Sequence, residues 1–167
     1  RPGIERQRGA DRLEVEVRRW RAEGRERGTE SVGDALPSGA HGIPGPRRLQ
    51  AGDIVSIDCG AVVDGFVGDS AITVGVGPIS DEAQRLLEVT CAALFAGIER
   101  MRLGQRTGDV SAAIQGVVEQ RGFNVVREYT GHGVGRAMHE DPQVPNYGVA
   151  GSGMPLKAGM TVALEPM

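Results

Sequence analysis

Two aspartates flank a predicted tight turn and could bind a metal ion together. Asp58 and Asp69 lie on either side of Asp64 and Gly65, a residue pair typical of two-residue hairpin turns. Because the midpoint between the aspartates falls next to this turn, we expect their side chains nearly opposite each other, allowing for one bulge residue. Asp58 follows apolar residues, and an ionised carboxylate in a sheet interior is costly unless it is paired or bound to a metal. A solvated strand face with an ordinary turn aspartate would give the same pattern.

A glycine-rich segment over 131–135 contains an imidazole group that could bind a metal. Glycines bracket His132, and their missing side chains would let the backbone and the imidazole approach a bound ion or substrate closely. A flexible turn with an incidental histidine is the alternative. His139 lies beside Glu140 and Asp141. It could orient a substrate, or it could be a surface histidine paired with these carboxylates.

A further carboxylate follows a predicted buried strand. Glu165 ends the apolar run over 160–164 and precedes Pro166. A metal ligand or a general base at this position would explain the pattern, and so would a glutamate at a strand end that faces water. His41 lies in a loop rich in Gly and Pro, and by itself it indicates little.

Taken together, the candidate donors are carboxylates and imidazoles without a thiolate. This set suits Mn, Fe(II), Co or Zn in hydrolytic sites better than it suits structural zinc. Two such ions can share a hydroxide nucleophile and polarise a carbonyl group.

The elements that must position these groups follow an α+β order. Leu13, Val17 and Trp20 have helical spacing among charged residues and predict a helix over 11–24. The later segments give a hairpin, then helices, then more strands, an order typical of α+β domains. The remaining predictions are a loop over 28–48, helices over 80–104 and 109–120, and strands over 53–62, 66–76, 125–129 and 160–164. Gly122 is the predicted C-terminal stop of the helix over 109–120.

Composition restricts the class of protein. The chain has 167 residues, of which 40% are apolar and 25% charged, a composition typical of one globular domain. Its net charge of -3, without a dense basic stripe, argues against nucleic acid as a partner. Cys59 and Cys91 form no CxxC pair, so we expect a reducing, cytoplasmic setting, and no apolar stretch is long enough to span a membrane. Because the chain starts at Arg1 and stops at Met167, directly after a predicted core strand, we expect a fragment.

Several motifs resemble those of type I methionine aminopeptidases. They occur in order over 41–167 and are highly specific for that family. The motifs are HGIP at 41–44, GDIVSID at 52–58, DGFVGD at 64–69, GHGVGR at 131–136, HEDPQVPNY at 139–147 and GMTVALEPM at 159–167.

The resemblance implies a fold and an activity. The expected fold is the α+β "pita-bread" fold of creatinase and the aminopeptidases, in which helices cover a curved antiparallel sheet, here incomplete at the C-terminus. Residues 41–167 would form the truncated catalytic metallopeptidase domain, and residues 1–40 an N-terminal helix and loop that match the family poorly. The implied activity is removal of the N-terminal methionine from new polypeptides when the second residue is small.

The resemblance also implies four metal ligands for two divalent ions, which would be Co, Mn, Fe(II) or Zn. Asp58, Asp69, His132 and Glu165 match ligand positions of the family. Asp69 would bridge the two ions, and Glu165 would also handle the proton of the nucleophile. The family pattern has a fifth ligand, a bridging glutamate beyond the end of this chain, so one ion should bind more weakly here.

Three further residues match substrate positions of the family. His139 would stabilise the tetrahedral intermediate or hold the scissile carbonyl, and His41 would contact the substrate. Met138 would help to receive the methionine side chain. The expected substrates are the N-termini of nascent polypeptides, with ribosome association, a monomeric state and no membrane partner as further expectations.

Two other functions fit parts of this pattern. An Xaa-Pro aminopeptidase or prolidase would share the fold and ligands, but the segments 145–147 and 165–167 favour the methionine enzyme, because the proline-specific branch typically has a glycine after Glu-Pro. An inactive fragment or non-catalytic binding module would keep the fold while the fifth ligand is missing. Cleavage preference and metal affinity separate these alternatives.

Overall fold

The computed structural model describes residues 13–20 and 48–167 of the chain. His41 and most of the proposed N-terminal unit over 1–40 lie outside these residues, so that domain division stays a prediction. The strands are β1 Leu13–Trp20, β2 Ile54–Val63, β3 Phe66–Gly75, β4 Thr130–Gly133, β5 Glu140–Pro145 and β6 Val162–Ala163, and the helices are α1 Asp81–Arg100 and α2 Thr107–Gln120.

Strands β1, β2 and β3 form an antiparallel sheet in that order. The predicted hairpin of β2 and β3 is confirmed. Both turn residues have positive φ, 52° at Asp64 and 76° at Gly65, which is the type I′ geometry favoured by the right-handed twist of the strands. The register pairs Val63 with Phe66 and continues without a shift to the end of the ladder. The allowed bulge is therefore not present in this hairpin.

The first strand corrects a sequence prediction. The segment 11–24 was expected to be helical, but β1 pairs with β2 along its whole length, from Leu13 opposite Ala61 to Trp20 opposite Ile54. The same residues also alternate apolar and charged, with Leu13, Val15 and Val17 separated by charged residues, which is a period of two. Pairing with β2 satisfies the backbone groups of β1 that face it, and this favours the alternating pattern over the helical one.

The two later predicted helices are confirmed, with small changes at their ends. Ser80 caps α1 by accepting a hydrogen bond from the Ala83 N–H at 3.1 Å. Helix α2 begins at Thr107, two residues before its predicted start, and Gly122 follows it with a φ of 81°, as expected of a C-terminal stop. No helix in the described residues is long and apolar enough to cross a bilayer.

Strands β5, β4 and β6 form a second antiparallel sheet in that order. The strand predicted over 125–129 is wrong, since the strand begins at Thr130 and contains Gly131, His132 and Gly133 of the glycine-rich segment. The predicted strand over 160–164 shortens to Val162–Ala163. Val125 is instead part of the core, with 8% of its surface exposed.

The main core lies between the two helices and the second sheet. Ile114 and Val110 of α2 are fully buried, and they pack with Ala93 of α1 and Val144 of β5. Gly97 permits the close approach of the helices, because a Cβ there would lie 2.9 Å from a side-chain carbon of Ile114. The second sheet therefore rests on a packed helical layer, and this layer supports the strand that carries His132.

The start of α2 contains a carboxylate whose contribution to stability should depend on pH. Asp109 accepts hydrogen bonds from the Arg106 N–H and from the Gly151 N–H, each at 2.7 Å. These two bonds, in that order, are the main causes that hold its pKa below the ordinary value of 3.8. A lowered folded-state pKa gives stability that is present above the unfolded-state value and is lost as pH falls through the folded-state value.

We therefore expect Asp109→Asn to lower the melting temperature at neutral pH, because the amide nitrogen cannot accept the second hydrogen bond. The difference from the wild type should shrink as the pH falls below the ordinary value of 3.8. Thermal unfolding from about pH 6 to about pH 2.5 measures this difference. Asp81→Asn, the same change in the first turn of α1, is the control. A difference between Asp109→Asn and wild type that stays constant across this range contradicts the assignment.

Candidate metal site

Three side chains from both sheets converge at one position. Asp69 lies on β3, His132 on β4, and Glu165 two residues after the end of β6. The His132 Nε2 atom is 3.0 Å from Glu165 Oε1 and 3.4 Å from Asp69 Oδ2. The three potential ligand atoms all lie within 4.8 Å of one another. His132 is buried, and both carboxylates are largely shielded from solvent.

The other ring nitrogen of His132 fixes the orientation of the imidazole. Its Nδ1 atom is 2.8 Å from the Gly133 carbonyl oxygen. Because a carbonyl can only accept, Nδ1 carries a hydrogen and donates it, which directs Nε2 at the two carboxylates. The Nε2 atom of His132 and the oxygens of both carboxylates then converge on one small space, which favours a bound cation. A histidine held by a second hydrogen bond in this way is typical of metal ligands.

The donor set fits a divalent metal ion. It consists of two carboxylates and one imidazole without a thiolate, the combination expected for Mn, Fe(II), Co or Zn in hydrolytic sites. Three protein ligands also leave coordination positions open for water or substrate, as catalytic metal sites require.

Asp58 lies beside this group and not within it. The register places Asp69 opposite Gly60 and Asp58 opposite Ala71. The two aspartates therefore share a face of the sheet, but they are diagonal neighbours, not nearly opposite as predicted. The reason is that the type I′ turn centres the register between Asp64 and Gly65. Each aspartate is therefore paired with a residue two positions away from the other aspartate. The role of Asp58 as a ligand stays a prediction.

The structure brings two of the predicted substrate residues to the same place. The ring of His139 lies 4.4 Å from the ring of His132, measured between centroids, and its side chain is exposed. Met138 covers Gly60, since a Cβ at Gly60 would collide with the Met138 Cε atom. Gly60 is the register partner of Asp69, so Met138 lies over the hairpin next to a candidate ligand.

Two contacts that the sequence did not reveal hold the segment with Met138 and His139 against the hairpin. The Val67 N–H donates to the Gly135 carbonyl at 2.7 Å. The Arg136 guanidinium lies over the Phe66 ring, 4.1 Å from its centroid. Residues 66 and 136 are distant in sequence, and no local pattern connects them. These contacts place the β4–β5 connection close to Asp69.

The glycines on either side of His132 are required by strand packing. A Cβ on Gly131 would lie 2.5 Å from the Ala163 carbonyl oxygen and 3.1 Å from that of Val144. A Cβ on Gly133 would collide with the Asp141 carbonyl oxygen. The sequence predicted that these glycines allow close approach to an ion, whereas the described contacts are between backbones of neighbouring strands.

Comparison with known proteins identifies the family of the chain. The sequence matches Metallopeptidase family M24 over residues 1–167. The chain belongs to this family. It is similar to methionine aminopeptidase 1 of Bacillus subtilis, with 54% identity over 127 residues, which cover 76% of this chain and 51% of that protein. The chain thus spans about half the length of the curated relatives it matches.

Solved structures of M24 enzymes agree with the fold described above. The crystal structure of methionine aminopeptidase from Rickettsia prowazekii matches with a TM-score of 0.75 and 44% identity, covering 76% of this chain and 51% of that one. The prolidase from Pyrococcus horikoshii is less similar, with a TM-score of 0.66 and 29% identity over 79% of this chain and 36% of that one. The predicted α+β pita-bread fold is confirmed, and membership of a metallopeptidase family agrees with the metal-binding donor set.

Proposed function

We propose that the chain carries the metal site of a methionine aminopeptidase, a hydrolase that removes the N-terminal methionine from new polypeptides when the second residue is small. The observation that carries this proposal is the convergence of Asp69, His132 and Glu165 on one position. Its relatives named methionine aminopeptidase are about half identical over the matched part of the chain, which supports this substrate class.

The proposed site would hold two divalent ions. Asp69 would contact both ions, because it lies 3.4 Å from His132 Nε2 and shares a sheet face with Asp58. When bound, such ions supply Lewis-acid activation of water and of the peptide carbonyl. The donor set of carboxylates and imidazole is compatible with Co, Mn, Fe(II) and Zn.

The remaining residues of the site would act on the substrate and its protons. Glu165 would take the proton from the attacking water, and its position in the three-residue group supports this role. His139, exposed beside His132, would donate a hydrogen bond to the carbonyl oxygen as negative charge develops there. Met138 would contact the methionine side chain of the substrate. His41, which lies outside the described residues, would also contact the substrate.

Methionine release from a Met-Ala-Ser peptide tests the proposal. The purified chain should bind Mn(II) or Co(II) in a calorimeter and should release methionine in a reaction that a chelator stops. His139→Ala should keep metal affinity but lower turnover by about a hundredfold, because it removes one stabiliser of the developing charge. Lys157→Ala, an exposed change outside the three-residue group, is the control.

The outcomes separate the competing functions. Cleavage of an Ala-Pro peptide in preference to Met-Ala-Ser would replace the proposal with an Xaa-Pro peptidase, which the likeness to the prolidase makes the second candidate. Metal binding without hydrolysis of either peptide would make this chain a non-catalytic metal-binding module. Ribosome association, a monomeric state and a cytoplasmic location remain predictions.

A further inference from the structure

Asn146 is a buried polar side chain that the catalytic proposal does not use. It directly follows β5, and none of its surface is exposed. Its Nδ2 atom donates a hydrogen bond of 2.8 Å to the backbone carbonyl oxygen of Glu165. The identity of the amide atom is fixed by its partner, because a carbonyl accepts and only the nitrogen of the amide can donate. Its Oδ1 atom has no hydrogen-bond partner among the described residues.

The backbone around Glu165 explains why a side chain is needed there. The ladder between β4 and β6 ends at the pair of His132 and Ala163. The next residue after Glu165 is proline, which has no N–H, so the peptide between them offers only the carbonyl for hydrogen bonding. Two residues further on, the Met167 carbonyl accepts from the Val126 N–H at 2.8 Å. Asn146 thus holds Glu165 between two backbone contacts, the β4–β6 ladder before it and the hydrogen bond of the Met167 carbonyl after it.

We propose that Asn146 is a positioning residue that fixes the direction of the Glu165 carboxylate through the Glu165 backbone. The carbonyl contact fixes the peptide plane that follows the Glu165 Cα. This limits the backbone torsion ψ of Glu165, and therefore the directions that its Cα–Cβ bond can take. The carboxylate then meets His132 Nε2 at 3.0 Å. This inference rests on the proposed metal function, since its consequence is the geometry of a ligand.

Removing the Asn146 amide should weaken metal binding, and this loss of affinity is separate from any loss of folding stability. Without the amide, the Glu165 carboxylate samples more orientations, and binding an ion must select one of them. Partners that orient metal ligands typically contribute about 10- to 100-fold to metal affinity, and we expect a loss in this range.

Asn146→Leu is the decisive variant. Leucine has the same number of side-chain heavy atoms as asparagine and the same branching at Cγ, although its methyl groups are bulkier than the amide. It removes the donor to Glu165 and the buried Oδ1 acceptor, so the core stays filled, and the cost in stability is limited to the unpaired Glu165 carbonyl and the added methyl volume. Asn146→Ala repeats the test with a cavity. Ser111→Ala is the control, because Ser111 is equally buried and donates to the Thr107 carbonyl inside α2, where it affects stability alone.

Two measurements keep the test independent of the proposed function. Calorimetric titration with Mn(II) should show affinity about 10- to 100-fold weaker for both Asn146 variants and unchanged for Ser111→Ala. Hydrogen exchange of the metal-free protein should be faster at the amides of residues 164, 165 and 167 in the Asn146 variants only. Unchanged exchange in these amides, or wild-type metal affinity in Asn146→Leu, overturns the positioning role. A wild-type chain that binds no Mn(II), but whose Asn146 variants exchange faster, would contradict the proposed function and leave the backbone contact established.

Discussion

Replacing Asp69 with asparagine is expected to weaken the binding of Mn(II) or Co(II) by about a thousandfold, well beyond the loss typical for a residue that only orients a ligand. Asp69 Oδ2 lies 3.4 Å from His132 Nε2, and its ligand atom is within 4.8 Å of that of Glu165. The asparagine side chain has nearly the same shape but no negative charge. The change therefore removes charge from the site without removing volume from the fold.

The same variant should be more stable than the wild type when no metal is present. The carboxylates of Asp69 and Glu165 share one small space and repel each other. Neutralising one of them should stabilise the metal-free protein by about 1 kcal/mol, which corresponds to an increase of about 3 °C in melting temperature. A structural salt bridge between Asp69 and His132 predicts the reverse, since its removal would lower the melting temperature.

Thermal unfolding with and without Mn(II) distinguishes these two cases. At a metal concentration about 100 times the dissociation constant, binding should stabilise the wild type by about 2.7 kcal/mol, and this shift should disappear in Asp69→Asn. Asp64→Asn is the matched control, because it makes the same chemical change in the same hairpin. Asparagine also tolerates the φ of 52° found at Asp64. A metal-induced shift in Asp69→Asn as large as that in the wild type would exclude Asp69 as a ligand.

The sequence predicted the parts of this fold that depend on local chemistry. Asp64 and Gly65 determine a type I′ turn, and Ser80 provides a side-chain cap, so the hairpin and α1 were recognisable from a few adjacent residues. β1 was not, because its residues fit both a period of two and a partial helical spacing. Pairing with β2, a contact between distant segments, favours the strand.

The candidate site also has parts that the sequence predicted and parts that it did not. Residue type and neighbouring motifs identified Asp69, His132 and Glu165, and the structure places them together. The diagonal offset of Asp58 depends on the register of the whole hairpin, because the centre of the turn lies one residue past the midpoint of the two aspartates and this shifts each strand partner by two residues. Asn146 was visible only as part of a family motif, because its role depends on a contact between β5 and the segment after β6.

The largest effect on stability is expected at Gly133, where alanine should destabilise the fold by about 3 kcal/mol or more. The φ of Gly133 is not in the left-handed region, so its backbone conformation does not itself require glycine. The cost is steric, since the new Cβ would collide with the Asp141 carbonyl oxygen and lie 2.9 Å from that of Glu140. Both contacts are backbone atoms of the adjacent strand, which cannot move aside as a flexible side chain can.

Strand β4 can relieve this collision only by moving away from β5, and that movement would carry His132 with it. Gly133→Ala should therefore lose metal affinity as well as stability, because His132 and the Gly133 carbonyl that orients its ring lie on the displaced backbone. Gly116→Ala is the control, since the nearest atom outside its helix backbone, the Gln120 Nε2, is 4.0 Å from the new Cβ. In the interior of α2 this change should stabilise the protein by about 0.5–1 kcal/mol. Denaturant unfolding measures both values, and a Gly133→Ala protein as stable as the wild type would show that β4 and β5 are not packed at the distance described.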